Sequence, residues 1–196
     1  RNSITEPSRP IGMNLINNAL SRLNRRLKDC FYSDEILQSF VGEGYFWSGQ
    51  GFRGQLSIRA GACFGLAEDH LLEIALFTEL LHNASLVHDD IVDSDHERRG
   101  QQTVWHKYGL SKALLVGDLL IAKAFEIASS SAIDPIIKSE WISSLSNAVT
   151  VAVRGALCEL DFKLSENDDI FSKYLNMAYD KTGVMFTLPI RCVGQA

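Results

Sequence analysis

The stretch DHLLEIALFTELLHNASLVHDDIVD (residues 69–93) decides the class of fold that this sequence can form. Its apolar residues recur at intervals of three and four positions, which is the spacing of one face of an α-helix. Before Asp89 these residues are so dense that such a helix must be buried along most of its length. We therefore predict a long helix from about Asp69 to Asp93 that packs inside a bundle of other helices.

Helical spacing also dominates the rest of the chain. An N-terminal segment carries apolar residues on one helix face, at Met13, Ile16, Leu20, Leu23 and Leu27. The segment Ser33–Glu35 can cap a short helix that ends near Phe40. A region of loops and turns is predicted by a cluster of glycines at Gly42, Gly44, Gly49, Gly51 and Gly54. Further helices are predicted at about 55–66, 111–130, 137–164, 168–179 and 182–195.

The organisation of the chain predicts a single all-α domain over residues 1–196. No segment alternates apolar and polar residues as a strand would, and no repeat recurs at a fixed period. The chain has 196 residues, of which 46% are hydrophobic and 22% charged, which suits one compact domain with a large core. Its net charge of -5 gives no general attraction to nucleic acid.

The sequence shows no sign of a membrane span or of export. It contains no run of about 18 apolar residues, which a membrane-spanning helix needs, and no signal peptide is visible. It has widely separated cysteines, each among apolar residues: Cys30, Cys63, Cys158 and Cys192. Because cysteine is often buried, we predict buried free thiols, a reducing compartment and a cytoplasmic location.

The carboxylates at the end of the long helix are candidates for a metal site. Asp89 and Asp93 are four positions apart and therefore project from the same helix face. Neighbouring carboxylates repel one another unless a cation lies between them or water reaches them freely. Oxygen ligands at this spacing suit Mg²⁺, which commonly bridges to substrate phosphates. Arg98 and Arg99 follow, and guanidinium groups bind phosphate oxygens, so the segment predicts a diphosphate held by Mg²⁺ and arginine.

Other interpretations of the same segment remain open on the residues alone. Aspartates at this spacing also occur at solvated helix ends of mixed charge. The dipeptide His88-Asp89 is typical of HD-type metal phosphohydrolases, which need further metal-ligating histidines upstream and downstream. All five histidines lie within residues 70–106, which disfavours that class. His82, seven positions before Asp89, shares its helix face and is either a ligand-binding residue or a satisfied core histidine.

Several landmarks resemble one known family. The string HDDIVDSDHERRG (residues 88–100) resembles the first aspartate-rich motif, DDxxD followed by RRG, of the trans-isoprenyl diphosphate synthases, or polyprenyl synthetases. Other segments are similar to further motifs of that family, in the same order: SGQGFRGQL (48–56) to its GGKRxRP loop, ELLHNASLVHDD (79–90) to its histidine-containing helix, GLSKALLVGDLLIAKAFE (109–126) to its GD helix, RGALCELDF (154–162) to its GEIxQL segment and YDKTGVMF (179–186) to its KT(G/A)xLF segment.

The resemblance implies an all-α bundle around a deep central cavity and a homodimeric enzyme. Members of this family join an allylic diphosphate to isopentenyl diphosphate, head to tail, with Mg²⁺. Metal ions and basic groups stabilise the diphosphate as it leaves, and an apolar, closed cavity keeps water from the allyl cation. We accordingly predict a Mg²⁺-dependent prenyltransferase with these two diphosphates as its partners.

The resemblance also implies roles for individual residues. The predicted Mg²⁺ ligands are Asp89, Asp93, a supporting Asp90 and Glu159, which is otherwise an ordinary helix carboxylate. The residues expected on the allylic diphosphate are Arg98, Lys181 and Thr182. Those expected on isopentenyl diphosphate are Arg53, His82 and Arg99. The predicted catalytic residues are Asp89, Asp93 and Lys181.

Two departures from the family pattern bear on the function. The lysine of the GGKRxRP loop is Gln50 here, its neighbouring arginine is Gly51 and its proline is Gly54. Gln50 remains a candidate substrate-binding residue, but loss of one charged hydrogen bond should weaken isopentenyl diphosphate binding by about 1–3 kcal/mol. The family's second aspartate motif, FQxxDDxxD, is absent, and Asp168-Asp169 comes too early to replace it. We expect a fragment without the C-terminal helices, the alternative being a non-catalytic accessory subunit of a heteromeric synthase.

Product length is predicted from the residues one turn before the first aspartate. The family shapes the floor of its cavity there, and Ala84 and Ser85 occupy those positions. Both are small, which predicts a product of twenty carbons or longer; close packing between helices is the alternative reason for small residues. A class I terpene cyclase, or a head-to-head condensing enzyme, shares the acidic motif, but the RRG and KTG elements favour the elongating family.

Overall fold

The computed structural model describes residues 12–40, 44–46, 51–161 and 169–196. Within these residues the chain forms nine α-helices: α1 (Gly12–Tyr32), α2 (Glu35–Gln38), α3 (Phe52–Phe64), α4 (Glu68–Val92), α5 (Val104–Tyr108), α6 (Leu110–Ser130), α7 (Pro135–Leu160), α8 (Ile170–Ala178) and α9 (Val184–Gln195). A π-helical turn, Tyr179–Gly183, connects α8 to α9, and two short strands follow α4, β1 (Glu97–Arg98) and β2 (Gln101–Gln102). The predicted all-α class is confirmed.

Helix α4 forms the centre of the bundle, as the density of its apolar residues predicts. It packs against α1, α3, α6 and α9, and its fully buried side chains include Leu72, Ile74, Phe77 and Leu80. Full burial of such a side chain contributes about 1.5–3 kcal/mol, so contacts on all sides hold α4 in place. The predicted bounds, 69–93, agree with the observed bounds to within one residue at each end.

Trp141 joins the second half of the bundle to α4. It lies on α7, and its ring centroid is 5.8 Å from that of Phe77. Its indole Nε1–H donates to the backbone carbonyl of Cys192 on α9, at 3.0 Å. A buried indole N–H usually finds such a partner, and here the bond fixes α7 against α9.

The glycine-rich segment contains a helix start that the sequence predicts too late. Helix α3 begins at Phe52, and Gly54 lies in its first turn rather than in a loop. A Cβ at Gly54 would lie 2.7 Å from Leu23 Cδ2 and 3.1 Å from Glu79 Cγ, so this glycine allows close helix packing instead of a turn. Some residues of the sequence predictions lie outside the described residues: Gly42, Gly49, Gln50 and Asp168.

The segment after α4 forms a β-hairpin that the sequence did not predict. Strands β1 and β2 pair in antiparallel fashion. The two loop residues, Arg99 and Gly100, have φ angles of 53° and 76°. Positive φ at both positions is the geometry of a type I′ hairpin turn. Strands of two residues are too short to show apolar alternation, so the sequence pattern could not indicate them.

The prediction of four buried thiols is wrong in part. All four cysteines are unpaired, but only Cys192 is buried, whereas Cys63 and Cys158 are exposed and Cys30 is intermediate. Apolar neighbours along a helix do not imply burial, because consecutive residues point to different sides. In the described ranges, no helix combines the length and the apolarity needed to cross a membrane.

Candidate active site

Two cavities lie on different faces of α4, and five of the predicted site residues line them: Arg53, His82, Asp89, Arg99 and Lys181. The polar cleft has a volume of about 570 Å³, and its lining includes Lys28, Arg53, Glu79, His82 and Arg99. The apolar pocket is smaller, about 80 Å³, and Asp89 and Lys181 line it together with Ala84, Ser85, Ile121, Val149 and Met185. Helix α4 therefore separates a basic site from an apolar one.

In the polar cleft, α3 and α4 bring Arg53 into contact with His82. Arg53 Nη1 lies 3.0 Å from His82 Nε2, and its guanidinium lies 4.4 Å from the ring centroid of Phe186 on α9, a cation–π distance. The backbone of the same turn is also bound, because Glu79 Oε1 accepts the N–H of Gly54 at 2.6 Å. Groups from two other helices thus fix the direction of the Arg53 side chain.

The contact with Arg53 also fixes the protonation of His82. A guanidinium only donates, so Nε2 of His82 accepts and the ring proton sits on Nδ1. Burial, together with the charges of Arg53, Arg99 and Arg98, lowers the pKa of His82 to about 3. Within the described residues, Nδ1 of His82 and Nε of Arg53 are buried and have no hydrogen-bond partner. Such donors favour a ligand with acceptor oxygens in this cleft.

Asp90 faces the interior rather than the apolar pocket. Its side chain is 1% exposed, and its Oδ1 lies 2.6 Å from both Nε and Nη2 of Arg98. Its Oδ2 accepts from the hydroxyl of Tyr45. Burial, then the hydrogen bond to Asp90, raises the pKa of Tyr45. The ion pair joins the hairpin to the end of α4, while the next residue, Arg99, lines the polar cleft.

Beside the apolar pocket, a lysine lies between two carboxylates. Lys181 Nζ is 2.5 Å from Glu159 Oε2 and 3.7 Å from Asp89 Oδ1. Burial raises the pKa of Asp89, and the positive charge of Lys181 opposes this rise. The exposed Asp93 adds a further negative charge that raises the pKa of Asp89. The end of α4, α7 and the π-helical turn thus gather carboxylates around one ammonium group.

These carboxylates fit a magnesium ion by their chemistry. Asp89, Asp93 and Glu159 supply the oxygen ligands that Mg²⁺ prefers, and the ammonium of Lys181 already places a cation between two of them. In the part of the chain that the structure describes, no three histidine, cysteine or acidic side chains form a ready-made metal site. Mg²⁺ commonly binds through one or two carboxylates and substrate phosphates, which suits such an open arrangement.

The π-helical turn Tyr179–Gly183 presents Lys181 to this site. The turn packs against α7 at Gly155, where a Cβ would lie 2.5 Å from the backbone nitrogen of Lys181 and 2.9 Å from the carbonyl carbon of Asp180. No other residue type allows this approach without displacing the turn. Thr182, in the same turn, is exposed. Turns of this kind are frequent at functional sites.

The structure brings most of the predicted site residues into three groups, whereas Asp93 and Thr182 are exposed. The polar cleft holds those expected on isopentenyl diphosphate: Arg53, His82 and Arg99. Around the apolar pocket lie Asp89, Lys181 and Glu159. Asp90 and Arg98 pair with each other. Gln50 lies outside the described residues, so its prediction stays a prediction.

Some residues of the site were not predicted from the sequence. Tyr45 binds Asp90 across 45 positions of sequence, and no local pattern marks such a contact. Phe186 reaches Arg53 from the last helix; it ends the segment that resembles the KT(G/A)xLF motif, but the motif does not indicate this contact. Glu79 did have a signal: it lies three positions before His82 and therefore shares its helix face.

The sequence is similar to that of known proteins. A family model described as polyprenyl synthetase matches residues 34–196. A short chain isoprenyl diphosphate synthase of Methanocaldococcus jannaschii is 34% identical over 171 residues, which cover 86% of this chain and 50% of that protein. A geranylgeranyl diphosphate synthase of Methanosarcina mazei is 36% identical over 138 residues, which cover 70% of this chain and 42% of that protein. The chain thus spans about half the length of these relatives.

The structure is also similar to solved structures. An FPP/GFPP synthase of Zymomonas mobilis matches with a TM-score of 0.80 and 25% identity, over 93% of this chain and 69% of that chain. A geranylgeranyl pyrophosphate synthetase of Geoglobus acetivorans matches with a TM-score of 0.78 and 26% identity, over 93% of this chain and 61% of that chain. Both likenesses agree with the helical bundle described above.

Proposed function

We propose, since the chain belongs to the polyprenyl synthetase family, that the protein condenses an allylic diphosphate with isopentenyl diphosphate, head to tail, to give a longer prenyl diphosphate. The observation that carries this proposal is the pair of cavities on two faces of α4. One is polar and basic, and the other is apolar with charged groups beside it. A reaction that joins two diphosphates needs two anion sites, and only one must also take a long apolar chain.

The polar cleft suits isopentenyl diphosphate. Arg53 and Arg99 bring positive charge to it, and the unpartnered donors of Arg53 and His82 would meet oxygens of the diphosphate. His82 would donate as a neutral group, because its lowered pKa of about 3 keeps it uncharged. Gly51, at a position where the family has a cation, contributes no charge, so we expect a modest affinity.

The carboxylates beside the apolar pocket suit the metal and the allylic diphosphate. Asp89 and Asp93 would hold Mg²⁺, with Glu159 as a further ligand and Asp90 acting through Arg98. When bound, Mg²⁺ neutralises the charge that develops on a departing diphosphate. The residues that would bind the allylic diphosphate itself are Lys181, Thr182 and Arg98.

The apolar pocket would receive the growing prenyl chain. Its aliphatic walls offer an apolar surface to that chain, and the allyl cation of the proposed reaction must be kept from water. Ala84 and Ser85 line it with small side chains. We therefore propose a product of twenty carbons or longer.

We also propose a homodimer and a cytoplasmic location. Helix α6 exposes Leu110, Leu114 and Leu115, and an exposed apolar patch is typical of a surface that packs against a partner. The unpaired and exposed thiols of Cys63 and Cys158 suit a reducing compartment. Light scattering gives the mass of the protein in solution, and the mass of a single chain would contradict the dimer.

An elongation assay tests the proposed reaction. The protein is incubated with Mg²⁺, labelled isopentenyl diphosphate and allylic diphosphates of several lengths, and the products are separated after dephosphorylation. We expect labelled prenyl products that disappear on chelation of Mg²⁺. Asp89→Asn should lower the rate on the order of a hundred-fold or more, whereas Glu140→Gln, an exposed carboxylate of α7, should leave it unchanged.

Each alternative function predicts a different result in the same assay. Absence of labelled product with every allylic primer would contradict the elongation reaction. Activity that appears only after addition of a partner subunit would favour the accessory role. A product made from the allylic diphosphate without uptake of label would favour a terpene cyclase.

A further inference from the structure

Glu79 is a buried carboxylate that the proposed reaction does not use. Its residue is 5% exposed, and burial raises the pKa of its carboxyl group. Burying a carboxylate is costly unless it is well hydrogen-bonded. Glu79 also lines the polar cleft beside Arg53 and Arg99, where a negative charge would repel a bound anion. We therefore expect Glu79 to have a structural role that offsets both the cost of its burial and its repulsion of a bound anion.

The start of α3 supplies that role. Its N-cap residue is Gly51, which has no side chain to accept the free N–H groups of the first turn. Glu79 accepts the N–H of Gly54 at 2.6 Å, and the backbone N–H of Arg53 lies close enough to lower the pKa of the same carboxyl group. These are the second and third residues of the helix, the N–H groups that a capping side chain binds. The helix dipole favours a carboxylate there as well, so Glu79 caps α3 from a different helix.

Glu79 and His82 both act on the first turn of α3, which carries Arg53. They lie three residues apart and therefore on one face of α4. Glu79 binds the backbone N–H of Gly54, the residue after Arg53, and His82 Nε2 lies 3.0 Å from the Arg53 guanidinium. The contact that fixes the proton of His82 on Nδ1 thus depends on where the first turn of α3 sits.

We propose that Glu79 is a positioning residue for the diphosphate site in the polar cleft. By capping α3 it holds Arg53 against His82, and it thereby keeps the His82 proton on Nδ1, available to an oxygen of the ligand. This inference rests on the proposed function only for the identity of that ligand. The effect of Glu79 on binding passes through Arg53 and His82.

The test compares two substitutions of Glu79 with a matched control. Glu79→Met keeps a similar length and removes both acceptors, whereas Glu79→Gln keeps one acceptor oxygen and removes the charge. The control is Glu73→Met, because Glu73 is also a partly buried carboxylate of α4, bound to Ser131 and His70 outside the polar cleft. All are examined by ¹⁵N NMR of the His82 ring, by calorimetry with inorganic pyrophosphate, and by steady-state kinetics.

We expect the unliganded wild-type protein to show His82 as the Nδ1–H tautomer. Glu79→Met should give a mixture of tautomers, bind pyrophosphate roughly ten-fold to a hundred-fold more weakly, and raise KM for isopentenyl diphosphate far more than it lowers kcat. Glu79→Gln should keep most of the Nδ1–H tautomer of His82 and most of the affinity for pyrophosphate. Glu73→Met should match the wild type in all three measurements.

Several results would overturn the inference. If the wild-type protein shows His82 as the Nε2–H tautomer, the inference is overturned without any variant. The test therefore holds even if Glu79→Met fails to fold. The inference is also overturned if Glu79→Met folds and keeps the wild-type tautomer and the wild-type affinity for pyrophosphate. It is likewise overturned if Glu73→Met loses as much affinity for pyrophosphate as Glu79→Met. If the tautomer and the affinity for pyrophosphate respond as expected but no prenyl product forms, the positioning role stands and only the proposed reaction is wrong.

Discussion

At the scale of single residues, the surroundings of His82 decide its chemistry. An exposed histidine titrates near physiological pH, whereas His82 is half-buried beside Arg53 and near two further arginines, which lowers its pKa to about 3. The same guanidinium fixes which ring nitrogen keeps the proton. A diphosphate bound nearby would add negative charge and raise the pKa again, because an opposite charge favours the protonated ring.

The lowered pKa of His82 predicts a loss of stability on acidification. The unfolded chain takes up a proton near pH 6.5, whereas the folded chain does so only near pH 3, so protons favour the unfolded state in this window. The contribution of His82 to the free energy of unfolding is complete above pH 6.5. Below that pH it falls by at most about 1.4 kcal/mol per pH unit. Urea unfolding at several pH values measures how the free energy of unfolding depends on pH. We expect this dependence to be shallower for His82→Gln than for the wild type.

The control for this prediction is His106→Gln. His106 is exposed and lies outside the polar cleft, and we expect its variant to keep the wild-type dependence of unfolding free energy on pH. Parallel curves for the wild type and His82→Gln would contradict the assignment of this dependence to His82.

Asp89 and Asp90 are adjacent in sequence, but their side chains lie in different surroundings. Asp89 and Asp90 differ by about 100° around the helix axis. Asp89 therefore lines the apolar pocket, while Asp90 is buried against Tyr45 and Arg98. Asp90, which the acidic motif suggests as a metal ligand, pairs with Arg98 and does not line the apolar pocket.

Asp90→Asn should lower the free energy of unfolding by about 2–3 kcal/mol, because it leaves the guanidinium of Arg98 without its charged partner. The matched control is Asp95→Asn, since the exposed Asp95 carboxylate also approaches Arg98, at 3.9 Å. Such an exposed pair contributes at most about 1 kcal/mol. Denaturant unfolding measures the free energy of unfolding of both variants. Equal losses would contradict the role of the Asp90–Arg98 pair in joining the hairpin to α4.

At the scale of elements, the sequence predicts the helices well and their contacts poorly. The apolar spacing of α4 gives its bounds to within one residue, because burial follows directly from that spacing. The start of α3 was missed, since Gly54 is explained by its neighbours on α1 and α4 and not by its own segment. Motifs brought the acidic end of α4 and Lys181 into the predicted site, whereas no motif indicates that Tyr45 contacts Asp90 or that Phe186 contacts Arg53.

The contact of the π-helical turn with α7 predicts a strong effect of Gly155→Ala. A methyl group there meets the backbone of Lys181 and Asp180, so the turn must shift. We expect a loss of about 1–3 kcal/mol in the free energy of unfolding, even though alanine favours a helix by about 1 kcal/mol over glycine. The shift should also weaken the pair of Lys181 with Glu159 and lower the rate of the proposed prenyl transfer.

Gly194→Ala is the matched control for this prediction. Gly194 is also helical, in α9, and a Cβ there meets nothing within 4 Å. We expect this variant to be as stable as the wild type or more stable, by up to about 1 kcal/mol. Thermal unfolding of both variants measures the difference, and equal stabilities would show that the turn yields to the added methyl group.

At the scale of the whole molecule, one buried helix serves two cavities of opposite character. The face of α4 with Glu79 and His82 lines the polar cleft, and the face with Ala84 and Ser85 lines the apolar pocket. Contacts on all sides hold this helix, so the two sites keep a fixed relation to each other. A rigid wall of this kind suits a reaction in which two bound substrates must meet in one orientation.

If the apolar pocket receives the product of the proposed reaction, its walls predict control of product length by Ser85. A phenylalanine at this position would project into a pocket of about 80 Å³ between α4, α6 and α7 and block the path of a growing chain. We expect Ser85→Phe to give shorter prenyl products at a similar rate of the first condensation. Ser85→Ala, which adds no volume, should keep the wild-type products. Chromatography of the dephosphorylated products measures both variants, and an unchanged product length in an active Ser85→Phe would place the growing chain outside this pocket.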